Sequence, residues 1–471
     1  MQKAVQNHSI RQKYFGDKAF YKMILTIAIP IMIQNGITNF VSLLDNIMIG
    51  RIGTEQMSGV AIVNQLLFVY NLCLFGGVSG AGIFTAQYFG QKNHEGVRQT
   101  VRYKIWMVTI VTIFTILLFL SRGESLIALY LKGEGSVESI AATLTYGKQY
   151  LWIMLIGLPP FMMVQVYSST LRECGHTIVP MKAGIVAVCV NLVFNYLLIY
   201  GKFGFPVLGV EGAAIATILS RYVEMAIIVV YTHRHAAKHP FATGLYRTLK
   251  VPGILLKKIL IKGTPLLVNE TLWAGGMAIL AQCYSVRGLN VVAAQNISNT
   301  INNVFNIVFI ALGDSVAIVV GQLLGAGKMD EARDTDRKMI TFSVLCCTGV
   351  AAVMFLAAPL FPLLYNTTDD ARLLARYFIM IAACFMPQNA FLHAAYFTLR
   401  SGGKTIITFL FDSAFICLVS VPIAYSLSHF TALSVVVVFT CVQLADLLKC
   451  VIGFILVKKG VWLQNIVNTE G

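Results

Sequence analysis

Charge is scarce in this sequence. Only 12% of its 471 residues are Asp, Glu, Lys or Arg, while 57% are hydrophobic. A soluble domain of ordinary composition is about 25% charged, so a water-soluble globular fold is excluded at the outset. Acids are the scarcer sign, 21 against 36 basic residues. Catalytic signatures are also lacking. There is no G-x-x-x-x-G-K, hence no ATP-driven engine of that type, and no H-E-x-x-H or recognisable Ser/His/Asp order. The ten cysteines include no C-x-x-C pair and mostly sit in apolar runs. They read as small buried hydrophobes, neither metal ligands nor disulfides. Nothing here points to an enzyme or a cofactor.

What the chain has is long apolar runs. A backbone in hydrocarbon must satisfy its own hydrogen bonds, as a helix or a closed barrel. Barrel strands alternate over about 10 residues, whereas these runs are longer and continuously apolar. Twelve helical spans are expected, near 23–48, 57–86, 101–120, 138–168, 179–200, 210–232, 258–284, 291–318, 339–360, 372–398, 405–427 and 433–457. Pro30, Pro159, Pro160, Pro265 and Pro387 fall inside runs and are expected to bend them. The polar, basic stretch through Lys22 lacks the order of a cleaved signal, so the first run reads as a retained span.

The connectors alternate in charge. One set, from Lys3 through the 233–257 connector to Lys459, holds 26 basic residues; the other, which includes Arg51 and Lys132, holds eight. That bias assigns the first set and both termini to the cytoplasm of a bacterial inner membrane. It accounts for the basic excess as a topology signal, with lipid and not nucleic acid as the partner.

The chain also repeats itself. A shift of 235 pairs Pro30 with Pro265, Asn64 with Asn299, Asn71 with Asn306, Gln87 with Gln322, Gly90 with Gly325 and Arg98 with Arg333. A shift of 228 pairs Pro159 with Pro387, Arg172 with Arg400 and Gly175 with Gly403. The expected architecture is an all-α polytopic membrane protein of two pseudo-symmetric six-helix bundles. They would comprise 1–232 and 258–471, joined by the unrepeated polar connector 233–257. Parallel repeats of this kind build alternating-access transporters with a substrate path between the halves; internal duplication also occurs in channels and structural membrane proteins.

The stretches "VSLLDNIMIGRIG", "GIFTAQYFGQKN", "LRECGHT", "GVEGAAIAT", "IVVGQLLGAGKMDEA" and "LRSGGKT" resemble the multidrug and toxic compound extrusion (MATE) family. The resemblance covers nearly the whole chain. It implies two six-helix bundles around a central cavity, coupled to sodium ions or protons. It also implies that Asp45 in the first span is the cation-coupling acid, the one residue expected to hold a sodium ion. Asn191, Asn195 and Thr217 match positions that join that acid in relatives; Asn195 stands where some relatives carry a second Asp. Other branches carry a functional Glu in the seventh span, where this chain has Glu270.

A charge near the bilayer centre costs about 2.5–3.5 kcal/mol even on insertion scales, so each such residue needs a local reason. Asp45 either couples a cation or pairs with Arg51 at the helix end. Its repeat position is Leu280, and that of Glu270 is Asn35, so the scaffold requires neither acid. Asn191 and Asn195 share a helical face and otherwise read as interhelical glue. Asn296, Asn299, Asn303 and Asn306 form one stripe, facing either a polar cavity or partner helices. Gln165 and His393 are equivalent under the 228 shift. With Glu270, Asn299 and Asn303 they are the expected substrate contacts, although His393 also fits a satisfied core histidine and many relatives carry Asn at Gln165. Arg221 with Glu224, and Lys449 with Asp446, have helical ion-pair spacing. Asp412 has no partner nearby in sequence.

The expected function is a monomeric antiporter exporting small cationic or amphipathic compounds. A flippase for lipid-linked oligosaccharide is the alternative, and a receptor or channel is the reading from another class. A flippase would favour a cationic cavity for pyrophosphate, where this chain offers acids and amides. The topology is directly testable. In a cysteine-depleted background, a cysteine replacing Lys238 should resist an impermeant thiol reagent in intact cells, and one replacing Lys132 should react. Labelling at 238 would overturn the topology.

Overall fold

Apolar composition and helix-ending residues divide the chain into a near-continuous series of long helices. The computed structural model describes residues 10–131 and 136–468, apart from the side chains of Ile10, Ser42, Leu43 and Asn46. Lys3 and Lys132, used in the topology argument, lie outside the described residues. The long helices are α1 (Lys18–Gly50), α2 (Thr54–Gly90), α3 (His94–Tyr130), α4 (Val137–Glu173), α5 (Ile178–Tyr200) and α6 (Gly209–Arg234). They continue as α7 (Gly253–Ser285), α8 (Leu289–Gly325), α9 (Met329–Ala357), α10 (Asp369–Ser401), α11 (Thr405–Phe430) and α12 (Val435–Lys459). Each expected span falls on one of them.

Local chemistry sets the ends. Ser136, Thr368 and Ser434 cap the N-termini of α4, α10 and α12 by accepting a backbone N–H. Gly201 and Gly460 close α5 and α12 at φ 64° and 69°, a left-handed conformation that glycine adopts without strain. Pro30, Pro159, Pro160, Pro265 and Pro387 lie inside helices that run on past them. Among the described residues, eleven helices are long and apolar enough to cross a membrane. The other, α7, has the length, but Asn269, Glu270 and Thr271 make its middle more polar. Exposed side chains such as Ile110, Phe114 and Leu117 on α3, or Leu448, Val451 and Phe454 on α12, form apolar stripes suited to lipid.

The chain folds into two compact units. The first gathers Met1–Met32, Ala86–Asn93 and Thr264–Gly471; the second gathers Ile33–Thr85 and His94–Gly263. In the first, Ile24 and Ala28 of α1 join a core with Leu312, Val316, Met339 and Leu399. There the repeat meets itself. A Cβ on Gly90 would strike the Gln322 carbonyl, and a Cβ on Gly325 would strike the Gln87 carbonyl. Only glycine allows two helix ends to cross so closely.

The C-terminal segment seals this crossing. Gln87 Nε2 donates to the carbonyls of Ser401 (2.9 Å) and Gln464 (3.2 Å), and its Oε1 accepts from the Ile466 N–H (2.8 Å). Asn465 donates to the Gly325 carbonyl at 2.9 Å, and Trp462 is fully buried.

The second unit holds the polar connector after α6 against α3. Arg98 donates to the carbonyls of Pro240 and Phe241, Arg102 to those of Gly244 and Leu245, and Trp106 to that of Leu249. His239, only 2% exposed, packs edge-on against His176 at 4.6 Å between ring centres. Burial, aided by the positive charge available at His176, His235 and Lys238, pushes His239 from the ordinary 6.5 down to about 4.

Two outcomes follow from these packings. Gln87→Leu strands two carbonyls and one amide, each worth about 1–3 kcal/mol when buried. It should lower the apparent melting temperature in detergent and open the last residues to protease; an unchanged melt and digest would contradict the sealing role. For His239, the unfolded chain takes up a proton below pH 6.5 while the folded chain resists until about 4. Its contribution is therefore intact above pH 6.5 and is lost progressively as pH falls to 4. His239→Phe should flatten the fall in melting temperature between pH 7 and pH 5.

Candidate cation and substrate sites

In the second unit, three helices bring the four expected coupling residues into one hydrogen-bonded chain. Asp45 lies near the C-terminal end of α1. Asn195 on α5 donates through Nδ2 to Asp45 Oδ1 at 2.6 Å and to Asn191 Oδ1 at 3.1 Å. Asn191 Nδ2 donates to Thr217 Oγ1 of α6 at 3.3 Å. The spacing of four explains the asparagine pair. Gly212 explains the tight seat of α6, since a Cβ there would lie 2.6 Å from the Leu198 carbonyl oxygen of α5. Asp45 has Asn195 as partner; among the described residues no ion pair joins it to Arg51.

Asn191 and Asn195 are buried, at 4% and 1% exposure. Asn195 Oδ1 is buried with no hydrogen-bond partner. An orphaned acceptor is costly, and this one sits on the residue that bonds the carboxylate. One carboxylate, amide oxygens and a hydroxyl form a hard donor set, which fits sodium or a proton. Arg221 lies close enough to act on the Asp45 charge. It makes the expected pair with Glu224, at 3.1 Å, and its guanidinium stands 5.0 Å from the Phe161 ring centre. Tyr150, which the sequence did not single out, contacts Asn64 Oδ1 loosely at 3.5 Å and feels the charges of Asp45 and Arg221.

The first unit holds a second polar centre on α7, α10, α11 and α12. Asn269, 2% exposed, organises it. Its Nδ2 donates to Asp412 Oδ2 at 3.2 Å and to the Tyr396 hydroxyl at 3.4 Å. Its Oδ1 accepts from Ser413 Oγ at 2.7 Å and from the Ser413 N–H at 3.3 Å. Glu270 is half-buried, and Arg400 and Asp412 act on its charge. His393 stacks among Phe309, Tyr396 and Phe397, and its Nε2 is buried without a partner.

One sequence expectation is corrected here. Lys449 pairs with Asp412 at 3.5 Å, not with Asp446 three residues earlier on its own helix. Asp412 lies in a π-helical turn, Leu410–Ala414, and a second, Ile416–Ser420, follows it. Such turns re-aim side chains and recur at functional sites. Helical periodicity alone does not reveal one, so this partnership was illegible.

The remaining expected contacts are dispersed. Asn299 and Asn303 are exposed on α8, as is Asn296, so that part of the stripe is not buried among partner helices. Asn306 is half-buried. Gln165 is half-buried on α4 in the second unit, whereas Glu270, Asn299, Asn303 and His393 belong to the first.

The MatE family pattern matches residues 30–197 and 265–426. "Probable multidrug resistance protein NorM" of Thermotoga maritima is 30% identical over 359 residues, 75% of this chain and 73% of the relative. "Multidrug resistance protein MdtK" of Pectobacterium atrosepticum is 25% identical over 367 residues, 77% and 78% of the two chains. Among solved structures, a MATE transporter in the bent conformation superposes with a TM-score of 0.84 at 20% identity, over 96% of this chain and 97% of that one. A variant of the Vibrio cholerae MATE transporter VcmN superposes with a TM-score of 0.84 at 17% identity, over 95% and 98%.

Proposed function

We propose, from the premise that this chain belongs to the MatE family, that it is a cation-coupled antiporter exporting small cationic or amphipathic compounds by alternating access. The observation that carries the reading is the hydrogen-bonded chain Asp45–Asn195–Asn191–Thr217, half-buried at its ends and buried at its asparagines, with its unpartnered Asn195 oxygen. The names of its relatives, which are multidrug resistance proteins, support the substrate class. In this reading the lobes 1–232 and 258–471, linked by 233–257, are the moving bodies of a monomer in a bacterial inner membrane, with both termini cytoplasmic.

Asp45 is the only acid of α1, and its charge is costly in hydrocarbon until neutralised. Asn195 holds the carboxylate in one orientation, Asn191 holds Asn195, and Thr217 in turn holds Asn191. A sodium ion or proton arriving from outside neutralises Asp45, and Asn195 Oδ1 and Thr217 Oγ1 stand ready as neutral oxygens. Neutralisation removes the charge that disfavours one lobe arrangement, and the reciprocal swing carries substrate outward. One charge crossing about 150 mV yields roughly 3.5 kcal/mol. A 100-fold gradient of neutral substrate costs about 2.7 kcal/mol, so one cation per cycle suffices for a neutral substrate, whereas one-for-one exchange with a monovalent cationic substrate is electroneutral and draws on the cation's own concentration gradient. Glu270, His393, Asn299, Asn303 and Gln165 are the proposed substrate contacts.

The test is Asp45→Asn, which keeps the volume and deletes the charge. The variant should bind substrate in detergent yet fail to concentrate it in inverted vesicles energised by either a sodium or a pH gradient. Accumulation at the wild-type rate would remove Asp45 from coupling. Asn191→Ala should shift ion dependence more mildly, because a single neutral oxygen is lost.

A further inference from the structure

The acid centre of the first unit already contains an ammonium. Lys449 is 7% exposed, and its one oxygen contact among the described residues is Asp412 Oδ1 at 3.5 Å. Charge-assisted N–H···O bonds ordinarily measure about 2.7–2.9 Å, so this pairing is slack. The aromatic faces of Phe411 and Phe415, 5.7 and 5.5 Å from Nζ, supply the rest of the surroundings. Carboxylate and rings together make a receptor for an organic ammonium.

We propose that Asp412 is an ammonium-binding site whose resident occupant is Lys449, and that a cationic substrate enters by displacing Lys449 onto Asp446. The proposal rests on the efflux reading above and names a point of substrate attachment within it.

Three observations support the exchange. The first concerns the fixed partner. Asn269 holds Asp412 through the other carboxylate oxygen, and Ser413 in turn holds Asn269, so the acid stays in place when the ammonium leaves. The Asp412 side chain is 24% exposed against 8% for Lys449, so a ligand approaches the acid and not the amine.

The second concerns the destination. Asp446 Oδ1 is buried without a hydrogen-bond partner, and Lys449 acts on its charge. The two residues have the spacing of a helical ion pair. Lys449 thus has two acids within reach and is bonded to only one. Moving it to Asp446 leaves a cation on each acid once substrate arrives, and no buried charge is left alone.

The third is a comparison within the chain. The 228 shift that pairs Arg172 with Arg400 also pairs Arg221 with Lys449. Arg221 is closed at 3.1 Å on Glu224 of its own helix. Lys449 occupies the equivalent place but reaches across to α11, leaving the acid of its own helix unused. Of this repeat-related pair, one is locked and the other is exchangeable.

Ethidium, a fluorescent monovalent organic cation, is the probe, with fluorescence polarisation of purified full-length protein in detergent as the measurement. Lys449→Met should bind ethidium roughly tenfold more tightly, because the competitor is gone. Asp446→Asn should weaken binding roughly tenfold in the wild-type background, because Lys449 then has no second acid. In the Lys449→Met background, Asp446→Asn should have almost no effect. A neutral amphipathic probe, N-phenylnaphthylamine, should bind all variants alike. Equal weakening by Asp446→Asn in both backgrounds would make Asp446 a plain electrostatic contributor and overturn the exchange; so would unchanged affinity in Lys449→Met. Should Lys449→Met not fold, the isosteric Asp446→Asn alone decides, with wild-type affinity for ethidium overturning the proposal. Wild-type protein that binds no ethidium sinks the cation-efflux reading along with it, whereas binding with the wrong variant pattern sinks the exchange alone.

Discussion

A carboxylate inside hydrocarbon must be matched by a donor or a cation, and the polar interior of this protein is organised by that demand. The two units answer it differently. Asp45 receives a neutral amide, and its neighbours leave one buried oxygen unpartnered. Asp412 receives an amide on one oxygen and a loosely held ammonium on the other. The first arrangement is a set of hard oxygen donors, and the second is a carboxylate whose ammonium partner is faced by the rings of Phe411 and Phe415. The same constraint explains why Asn269 and Asn195, rather than further acids, hold the carboxylates. An amide fixes a charge without adding another that would itself need matching.

Close helix approach is the other half of the design. Association in lipid draws little from the hydrophobic effect and much from backbone proximity. Gly90 with Gly325 in the first unit, and Gly59 against Gly147 in the second, remove the side chains that would hold helices apart. The Gly90–Gly325 crossing also gives the internal repeat a spatial meaning. Residues related by the 235 shift stand face to face, each glycine against the carbonyl of the other repeat's glutamine.

Much of this could be read from the chain. Apolar runs placed all twelve helices, because hydrocarbon imposes both length and continuity. Asp45, Asn191, Asn195 and Thr217 were found together because the motif and the spacing of four agree. The Arg221–Glu224 pair was legible because both partners lie on one helix. The Asp412–Lys449 pair was not, since its partners are 37 residues apart and depend on a π-helical stretch that leaves no mark in the pattern. Asn269 was hidden beside the more conspicuous Glu270. Nor does any local signal tie Gln87 to Gln464, 377 positions away.

That last tie bears on how the protein is made. Gln464 and Ile466, which bond the Gln87 amide, are translated 377 and 379 positions after it. At roughly 5–20 residues per second the interval is on the order of tens of seconds. Throughout it, the buried amide at the end of α2 must be satisfied by water, lipid headgroups or a chaperone. The first unit therefore cannot complete this seal until Gln464 and Ile466 have been synthesised. Asn468, which bonds Gln91 at 2.6 Å, belongs to the same seam, so the two ends of this contact are made far apart in time and can meet only late.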